Sequence, residues 1–406
     1  MQIGAYRFDR MELAGSLGDL GTLLPISLGL ILGNGISPAG LFFSVGLFYI
    51  VAGGYFRVPI AVQPMKVIGA YAIATAATTL QIQAAGLLMA VVLGVLAAAK
   101  PVENLLRAIP RGVIRGVQLS TGILLASRGL GFIAGTSSFQ KLLGKAEPYL
   151  AVQGIGPIPL GIVLGVIFFF VTLRYLNSRT MPAGLVVVLG GMLVGLILGA
   201  SQELKGMELG FGIPPLLPYG WPSWADLSLA FVVMVLPQTP MTIGNAVLAN
   251  MDLSQQYFPE GSARMTSRGL CTSMAAANVL SFLFGGMPLC HGAGGLAAHY
   301  RFGARTAGSN IIIGGFFLFL ALVLGDKAPG MVRLLPLSIM GVMLVFAGLQ
   351  LCTTISDLLL AGAQDGKRHL FVALLMLALT LAGNLALAFC VGIALDWALR
   401  RNWVSI

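Results

Sequence analysis

Charged residues are scarce in this 406-residue chain, since Asp, Glu, Lys and Arg together make up 9% of it. A soluble protein of this length carries about 25%. Hydrophobic residues reach 57%, the mean hydropathy is +0.92, and the stretches 160–173 and 181–200 carry no charge at all. Short alternating strands of an outer-membrane barrel are absent. The composition therefore predicts an all-α polytopic membrane protein.

Residues for redox, metal or hydrolytic chemistry are also few. The four cysteines, at 271, 290, 352 and 390, lie in or beside apolar segments without CxxC spacing, which predicts reduced packing residues. His291 and His299 lack an intervening Glu, as a metalloprotease helix would need. Walker A and GxSxG sequences are missing. We therefore expect no enzyme, no cofactor and no metal site.

Basic residues exceed acidic ones by 24 to 14, for a net charge of +10. Their distribution indicates membrane orientation rather than a nucleic-acid partner. With a cytoplasmic N-terminus, seventeen lie inside, six outside and Lys66 within the membrane, which fits the positive-inside rule. The inside set is Arg7, Arg10, Arg57, Lys100, Arg107, Arg111, Arg115, Arg174, Arg179, Arg264, Arg268, Arg301, Arg305, Lys367, Arg368, Arg400 and Arg401. The outside set is Arg128, Lys141, Lys145, Lys205, Lys327 and Arg333. We expect both termini in the cytoplasm and a location in a bacterial-type inner membrane.

About fourteen hydrophobic segments are visible along the chain. They span roughly 17–34, 38–56, 65–80, 82–99, 112–133, 157–176, 181–200, 228–250, 267–285, 291–300, 308–325, 334–351, 369–382 and 384–399. Segments three and ten are too short or too polar for ordinary spans of about 20 apolar residues. The long loop 201–226 divides the chain into a first repeat at 1–200 and a second at 227–406.

Three landmarks recur in the same order in both halves. GDLGTLLPISLG (18–29) matches LPQTPMTIGNAV (236–247), AVQPMK (61–66) matches GMPLCH (286–291), and IPRGVIRGVQLSTG (109–122) matches LPLSIMGVMLVFAG (335–348). Because seven is odd, the second copy enters the membrane from the opposite face. The sequence therefore predicts a 7+7 inverted repeat, with half-helices three and ten meeting at the midplane.

Segment three joins an extended stretch to a short helix at Gln63, Pro64, Met65 and Lys66. Pro64 suits a helix start, where its missing N–H is not needed. We expect free N–H groups at Met65, Lys66 and Val67, which would form an anion site at the helix N-terminus. Lys66 adds a positive charge there, for which an anionic substrate or Asp19 would account. The alternative is that Lys66 only extends to the membrane interface.

Segment ten repeats this arrangement. Pro288 ends an extended stretch before Cys290, His291, Gly292, Ala293 and Gly294. The glycines allow a ligand to approach the backbone closely. His291 could donate to an oxyanion or carry a coupled proton, or be structural. Two opposed helix N-termini would share many N–H donors among the oxygens of one anion, so we expect an oxyanion ligand.

Segments one and eight should flank this point. Asp19, an intramembrane carboxylate, would pair with Lys66 or carry a proton, and the sequence does not decide between them. On segment eight, Gln238, Thr242 and Asn245 recur on one helical face. Gln238, at a Pro-bounded break, is the better candidate ligand. Thr242 and Asn245 could equally form interhelical hydrogen bonds.

At these residues the chain resembles the molybdate transporter family, distant relatives of sulfate permeases. AVQPMKVIGAYAIA (61–74) and FGGMPLCHGAGGLAAHYRFGARTAG (284–308) resemble its two signatures, and GDLGTLLPI (18–26) and LPQTPMTIGNAV also match. The resemblance implies the fourteen-span fold shared with sulfate and uracil permeases. In that fold a core domain (segments 1–4 and 8–11) moves against a gate domain (segments 5–7 and 12–14).

The resemblance also implies molybdate import by alternating access in a secondary transporter, with tungstate and sulfate as competitors. It leaves a homodimer open. Nucleobase permeases of this fold grip their ligand with Glu in spans eight and ten, where this chain has Gln238 and His291. A sulfate or tungstate transporter is the nearest alternative. An anion channel or a non-transporting membrane scaffold is the alternative from another class.

Overall fold

The computed structural model describes residues 2–3, 6–99, 110–178, 180–204, 210–325, 328–359, 363–401 and 403–404. Five of the basic residues counted for orientation, Lys100, Arg107, Arg179, Lys205 and Lys327, lie outside the described residues. Across the described ranges the protein is predominantly α-helical, and its strands are two-residue pairs. The predicted helical class is therefore confirmed.

The helices of the first half mostly begin at proline or at a hydroxyl cap. Pro110, Pro159 and Pro182 directly precede three of them, and Thr78 forms a capping box with Gln81. The helices are α1 (Arg10–Ser16), α2 (Leu20–Asn34), α3 (Pro38–Phe56), α4 (Lys66–Thr75), α5 (Thr79–Ala98), α6 (Arg111–Ile133), α7 (Ser138–Leu143), α8 (Leu160–Leu176) and α9 (Ala183–Ile197).

The second half begins with a long helix, α10 (Trp224–Tyr257), which opens with a Ser223–Asp226 capping box. Two stretches of α10, Phe231–Val235 and Thr242–Leu248, have π-helical hydrogen bonding around the prolines of LPQTPM. The following helices are α11 (Ser267–Leu283), α12 (Ala293–Phe302), α13 (Gly308–Leu324), α14 (Ala328–Val332), α15 (Leu337–Cys352), α16 (Ala363–Ala382) and α17 (Leu385–Arg400).

Within the described residues, four helices are long and apolar enough to cross a membrane: Pro38–Phe56, Thr79–Ala98, Trp224–Tyr257 and Leu337–Leu359. The pair α1 and α2, bent by 41°, would make a fifth. Four more apolar helices are shorter: Lys66–Thr75, Leu160–Leu176, Ala183–Ile197 and Gly308–Val323. Helix length and composition therefore do not confirm the predicted count of fourteen spans. They do confirm that segment three is a short helix, Lys66–Thr75.

Three antiparallel strand pairs complete the described elements. β1 (Gln2–Ile3) pairs with β2 (Tyr6–Arg7), and β4 (Gly154–Ile155) with β5 (Ile158–Pro159). The third pair joins the two halves of the chain, since β3 (Gln63–Pro64) pairs with β6 (Leu289–Cys290). β3 directly precedes α4 and β6 precedes α12, so the two predicted breaks meet in space.

Helices from different halves pack closely through glycine. α6 packs most extensively against α15, α3 against α13, and α5 against α11. A Cβ added at Gly129 would lie 2.5 Å from the carbonyl oxygen of Gly341, and one added at Gly341 would lie 2.5 Å from that of Gly129. Gly122 and Gly348 show the same reciprocal contact. Small residues at such crossings let the two backbones approach closely. The van der Waals contacts formed in this way are a driving force for helix association in lipid.

Candidate functional site

The backbone of the β3–β6 pair sets the spacing of two helix N-termini. Gln63 lies opposite Cys290 in this pair, and Pro64 lies opposite Leu289. The amide of Met65 donates to the carbonyl oxygen of Pro288 at 2.9 Å. Pro64 needs no amide partner, which makes proline suitable in such a short pair. The positive ends of α4 and α12 are therefore held side by side by main-chain contacts.

Gln238 caps the N-terminus of α4. Its side-chain oxygen accepts from the amides of Val67, at 2.9 Å, and Ile68, at 3.3 Å. Its amide nitrogen donates to the hydroxyl of Thr242 at 2.9 Å. The sequence prediction left the amides of Met65 and Val67 free for an anion, but the structure gives both of them protein acceptors. Gln238 is thus a capping residue for α4, and α4 offers fewer donors than expected.

Lys66, the first residue of α4, is partly exposed and lines a cavity of about 750 Å³. Thr22 and Ile26 of α2 and Asn245 and Gly244 of α10 line the same wall. The Lys66 ammonium is near enough to the Asp19 carboxylate for the two charges to interact. Lys66 therefore links the cavity to the buried carboxylate behind it.

The N-terminus of α12 is open where that of α4 is capped. Gly292, in an extended conformation, is the N-cap residue and provides no side-chain cap. Ala293 begins the helix and is buried, whereas Gly294 is exposed and a Cβ added there would meet nothing within 4 Å. Because the first amides of a helix lack intrahelical partners, α12 presents donors beside open space.

His291 and Cys290 point away from the cavity. The Nδ1–H of His291 donates to the carbonyl oxygen of Ala61 at 2.9 Å, and its Nε2 lies 3.1 Å from the hydroxyl of Ser273. The ring also packs on Phe48, with 4.7 Å between centroids. The buried thiol of Cys290 lies 3.7 Å from the carbonyl oxygen of Pro64. Both side chains therefore make contacts with protein groups around the two breaks.

Asp19 lies at the bend between α1 and α2, where it is 2% exposed. The structure brings it against Gln63, whose side-chain nitrogen donates to Asp19 Oδ1 at 2.5 Å. A Cβ added at Gly292 would overlap Gln63 Oε1. One added at Gly295 would lie 2.6 Å from Asp19 Oδ2. The two glycines therefore let the first turn of α12 rest directly on Asp19 and Gln63.

The opposite wall of the cavity is polar and was missed from the sequence. Arg115 of α6 donates to Gln118 at 2.7 Å and forms an ion pair with Asp357. The hydroxyl of Thr354 also donates to Gln118, at 3.0 Å. Arg111 lines the same wall. The spacing 111, 115, 118 in IPRGVIRGVQLSTG is helical and was the available signal.

Comparison with known proteins identifies the family to which this chain belongs. The profile described as "Molybdate transporter of MFS superfamily" matches residues 11–125 and 230–351, more than half of the chain. The chain belongs to this molybdate transporter family. Molybdate transporter 2 of Arabidopsis thaliana is 31% identical, over 96% of this chain and 87% of that protein. Molybdate transporter 1 of Chlamydomonas reinhardtii is 27% identical, over 94% and 90% respectively.

Solved structures show which fold this family member has. The transmembrane domain of the cyanobacterial bicarbonate transporter BicA aligns with a TM-score of 0.65 at 16% identity, over 96% of this chain and 98% of that one. The murine Slc26a9 anion transporter in the inward-facing state aligns with a TM-score of 0.66 at 15% identity, over 100% and 70% respectively. At such identities the similarity establishes the fold alone. The chain thus has a sulfate-permease-like fold. Its membership of the molybdate transporter family makes it a helical integral membrane protein and a transporter rather than an enzyme.

Proposed function

We propose that the protein is a secondary active transporter that imports molybdate by alternating access. The observation that carries this is the adjacency of two helix N-termini: Lys66, at the start of α4, lines a cavity, and the β3–β6 pair holds the uncapped N-terminus of α12, with its exposed Gly294, next to α4. A cation and a set of backbone donors suit a tetrahedral oxyanion, and carboxylates are absent from the breaks. Molybdate as the substrate follows from the similarity to the molybdate transporters of Arabidopsis thaliana.

The proposed substrate site has two parts. Lys66 and the first turn of α12, from Gly292 through Ala293 to Gly294, would contact the anion. Gln63, Pro64, Met65, Gln238, Cys290 and His291 would hold those donors in place through the contacts described above. The backbone donors need no rearrangement when the anion arrives, which favours binding of a strongly hydrated ligand.

We further propose a 7+7 inverted repeat of fourteen spans, in which α4 and α12 are the third and tenth. The helix pairs support it. A two-fold axis that exchanges the halves would map the pair α3–α13 onto the pair α11–α5, and would map α6–α15 and β3–β6 onto themselves. The reciprocal glycine contacts between α6 and α15 are what such an axis requires. The repeats would cover residues 1–200 and 227–406, joined by 201–226.

The cavity would separate a core domain from a gate domain. Its walls are α2, α4 and α10 on one side and α6 and α15 on the other, which belong to the proposed core and gate respectively. It is lined at one end by Arg111, the first residue of α6, which the charge bias assigns to the cytoplasm. We therefore propose an inward-facing state with both termini cytoplasmic. The bacterial-type inner membrane is part of this proposal, although the relatives named above are plant and algal.

Uptake into proteoliposomes tests the function. The purified protein is reconstituted, and molybdenum inside the vesicles is measured by elemental analysis at increasing external molybdate. We expect saturable molybdenum uptake that tungstate or sulfate at equal concentration inhibits only in part. Better transport of sulfate would make this a sulfate transporter. Flux that never saturates, with large single-channel currents, would indicate a channel.

A further inference from the structure

The Asp19–Gln63 pair is buried and incompletely hydrogen-bonded. Asp19 is 2% exposed and Gln63 is 0% exposed. Gln63 satisfies Asp19 Oδ1, yet Asp19 Oδ2 and Gln63 Oε1 have no hydrogen-bond partner in the part of the chain that the structure describes. Two buried acceptor atoms therefore lack a donor. Leaving such atoms unpaired is costly, and a buried carboxylate oxygen without a donor favours the neutral, protonated acid.

The unpaired oxygen of Asp19 lies against the helix that we propose binds the anion. Gly295 is in the first turn of α12, and its missing Cβ leaves room for Asp19 Oδ2. An ionised Asp19 and a bound oxyanion would therefore share one positive helix end. They would also share Lys66, which attracts Asp19 electrostatically and lines the cavity. Two negative groups so placed disfavour each other in a low-dielectric interior.

The other titratable groups around Asp19 already have hydrogen-bond partners of their own. The hydroxyl of Tyr49 donates to the carbonyl oxygen of Val62. The thiol of Cys290 lies 3.7 Å from the carbonyl oxygen of Pro64, and Lys66 is a cation that interacts with Asp19. His299 of α12 donates from Nδ1 to the carbonyl oxygen of Gly15, and its Nε2 is a further buried atom without a partner among the described residues. Both ring nitrogens of His291 are occupied.

We propose that Asp19 is the proton-binding group of this transporter and that its protonation is coupled to oxyanion binding. The inference rests on the proposed function. A proton from the outer solution adds to Asp19 Oδ2, which removes the competing negative charge. It leaves with the anion on the cytoplasmic side. Since coupling of two ligands is reciprocal, molybdate must strengthen proton binding as much as the proton strengthens molybdate binding.

Wild-type protein tests the coupling directly. Molybdate Kd is measured by titration over the pH range in which molybdate stays a dianion, and proton movement into proteoliposomes is followed with an entrapped pH-sensitive dye. We expect Kd to rise with pH by up to about tenfold per unit, as for one coupled proton. Adding molybdate outside should acidify the vesicle lumen. Transport without proton movement, or driven by a sodium gradient, overturns the coupling and leaves the proposed function standing. Absence of molybdate binding removes the proposed function itself.

Substitutions at single positions test which residue binds the coupled proton. Asp19→Asn should bind molybdate with a pH-independent Kd and lose uptake driven by a pH gradient. Asp252→Asn, the same change at an exposed cavity carboxylate, should keep the wild-type slope. Loss of the slope in His299→Asn with retention in Asp19→Asn would move the proton to His299 and overturn the assignment.

If Asp19→Asn does not fold, the Gln63→Leu variant tests the proposal instead. It removes the donor to Asp19 Oδ1, so the affinity profile should move to higher pH, and an unmoved profile contradicts the proposal.

Discussion

Gln238 and Val67 come from opposite halves of the chain, and the side-chain oxygen of Gln238 accepts the amide hydrogen of Val67 at 2.9 Å. The same oxygen also accepts from Ile68. Through this contact the second half of the chain caps a helix of the first half. The α4 N-terminus is therefore closed, and the donors available to a ligand are concentrated at α12.

Two substitutions of Gln238 separate its role as the helix cap of α4 from the effect of a negative charge at the same position. Gln238→Ala leaves two buried amides unpaired, so we expect the free energy of unfolding to fall by about 1–3 kcal/mol. Gln238→Glu can still accept from both amides and should retain most of the stability. Its negative charge would repel an oxyanion beside Lys66 and weaken molybdate binding. Thermal unfolding in detergent and molybdate titration measure the two effects. Equal affinity of Gln238→Glu and wild type would place the anion elsewhere.

Removal of the Lys66 charge should weaken molybdate binding more than about tenfold, which corresponds to about 1.4 kcal/mol. Lys66→Ala removes the cation at the cavity, and folding should persist because the side chain is partly exposed. Lys66→Arg keeps the charge and should retain more affinity. Lys141→Ala, at an exposed position on the short helix α7, controls for the lower net charge. Unchanged affinity in Lys66→Ala, measured by titration, would make Lys66 a purely structural residue.

Gly294 and Gly292 should respond oppositely to added side chains. Gly294→Leu places its side chain in open space, so the protein should fold and lose transport by steric exclusion of the anion. Gly292→Ala would force a Cβ to within 1.8 Å of Gln63 Oε1 and should destabilise the protein. Expression level, thermal unfolding and uptake in proteoliposomes separate these outcomes. Normal transport by Gly294→Leu would show that the anion does not approach α12.

His291 should matter for stability and little for ligand affinity. His291→Phe keeps a ring against Phe48 but loses the hydrogen bonds to Ala61 and Ser273. We expect the free energy of unfolding to fall by about 1–3 kcal/mol. The molybdate Kd of the folded fraction should stay within about threefold of wild type, equal to about 0.7 kcal/mol. A larger loss of affinity at unchanged stability would return His291 to the substrate site.

The two breaks could be predicted from the sequence because residues adjacent in the chain determine them. Pro64 and the glycines at 292 and 294 mark an extended stretch followed by a helix in either half. The prediction that segment three is a short helix is confirmed by α4. Pro110 and Pro336 likewise begin the paired helices α6 and α15.

Partners distant in the chain could not be predicted this way. Asp19 was expected to pair with Lys66 or carry a proton, and its contact with Gln63 depends on how α12 presses on both residues. The direction of the His291 ring is set by Ala61 and Ser273, which lie on other elements. The π-helical stretches of α10 changed the spacing on which the stripe of Gln238, Thr242 and Asn245 was based.

The β3–β6 pair has a consequence for biosynthesis. Pro64 and Cys290, which touch across it, are 226 positions apart in the chain. The ribosome must therefore complete most of the polypeptide before the backbone of β3 finds its partner. Until then α4 lacks both the Pro288 carbonyl and the Gln238 cap. A prematurely terminated product would consequently leave the amides of Met65 and Val67 without these acceptors.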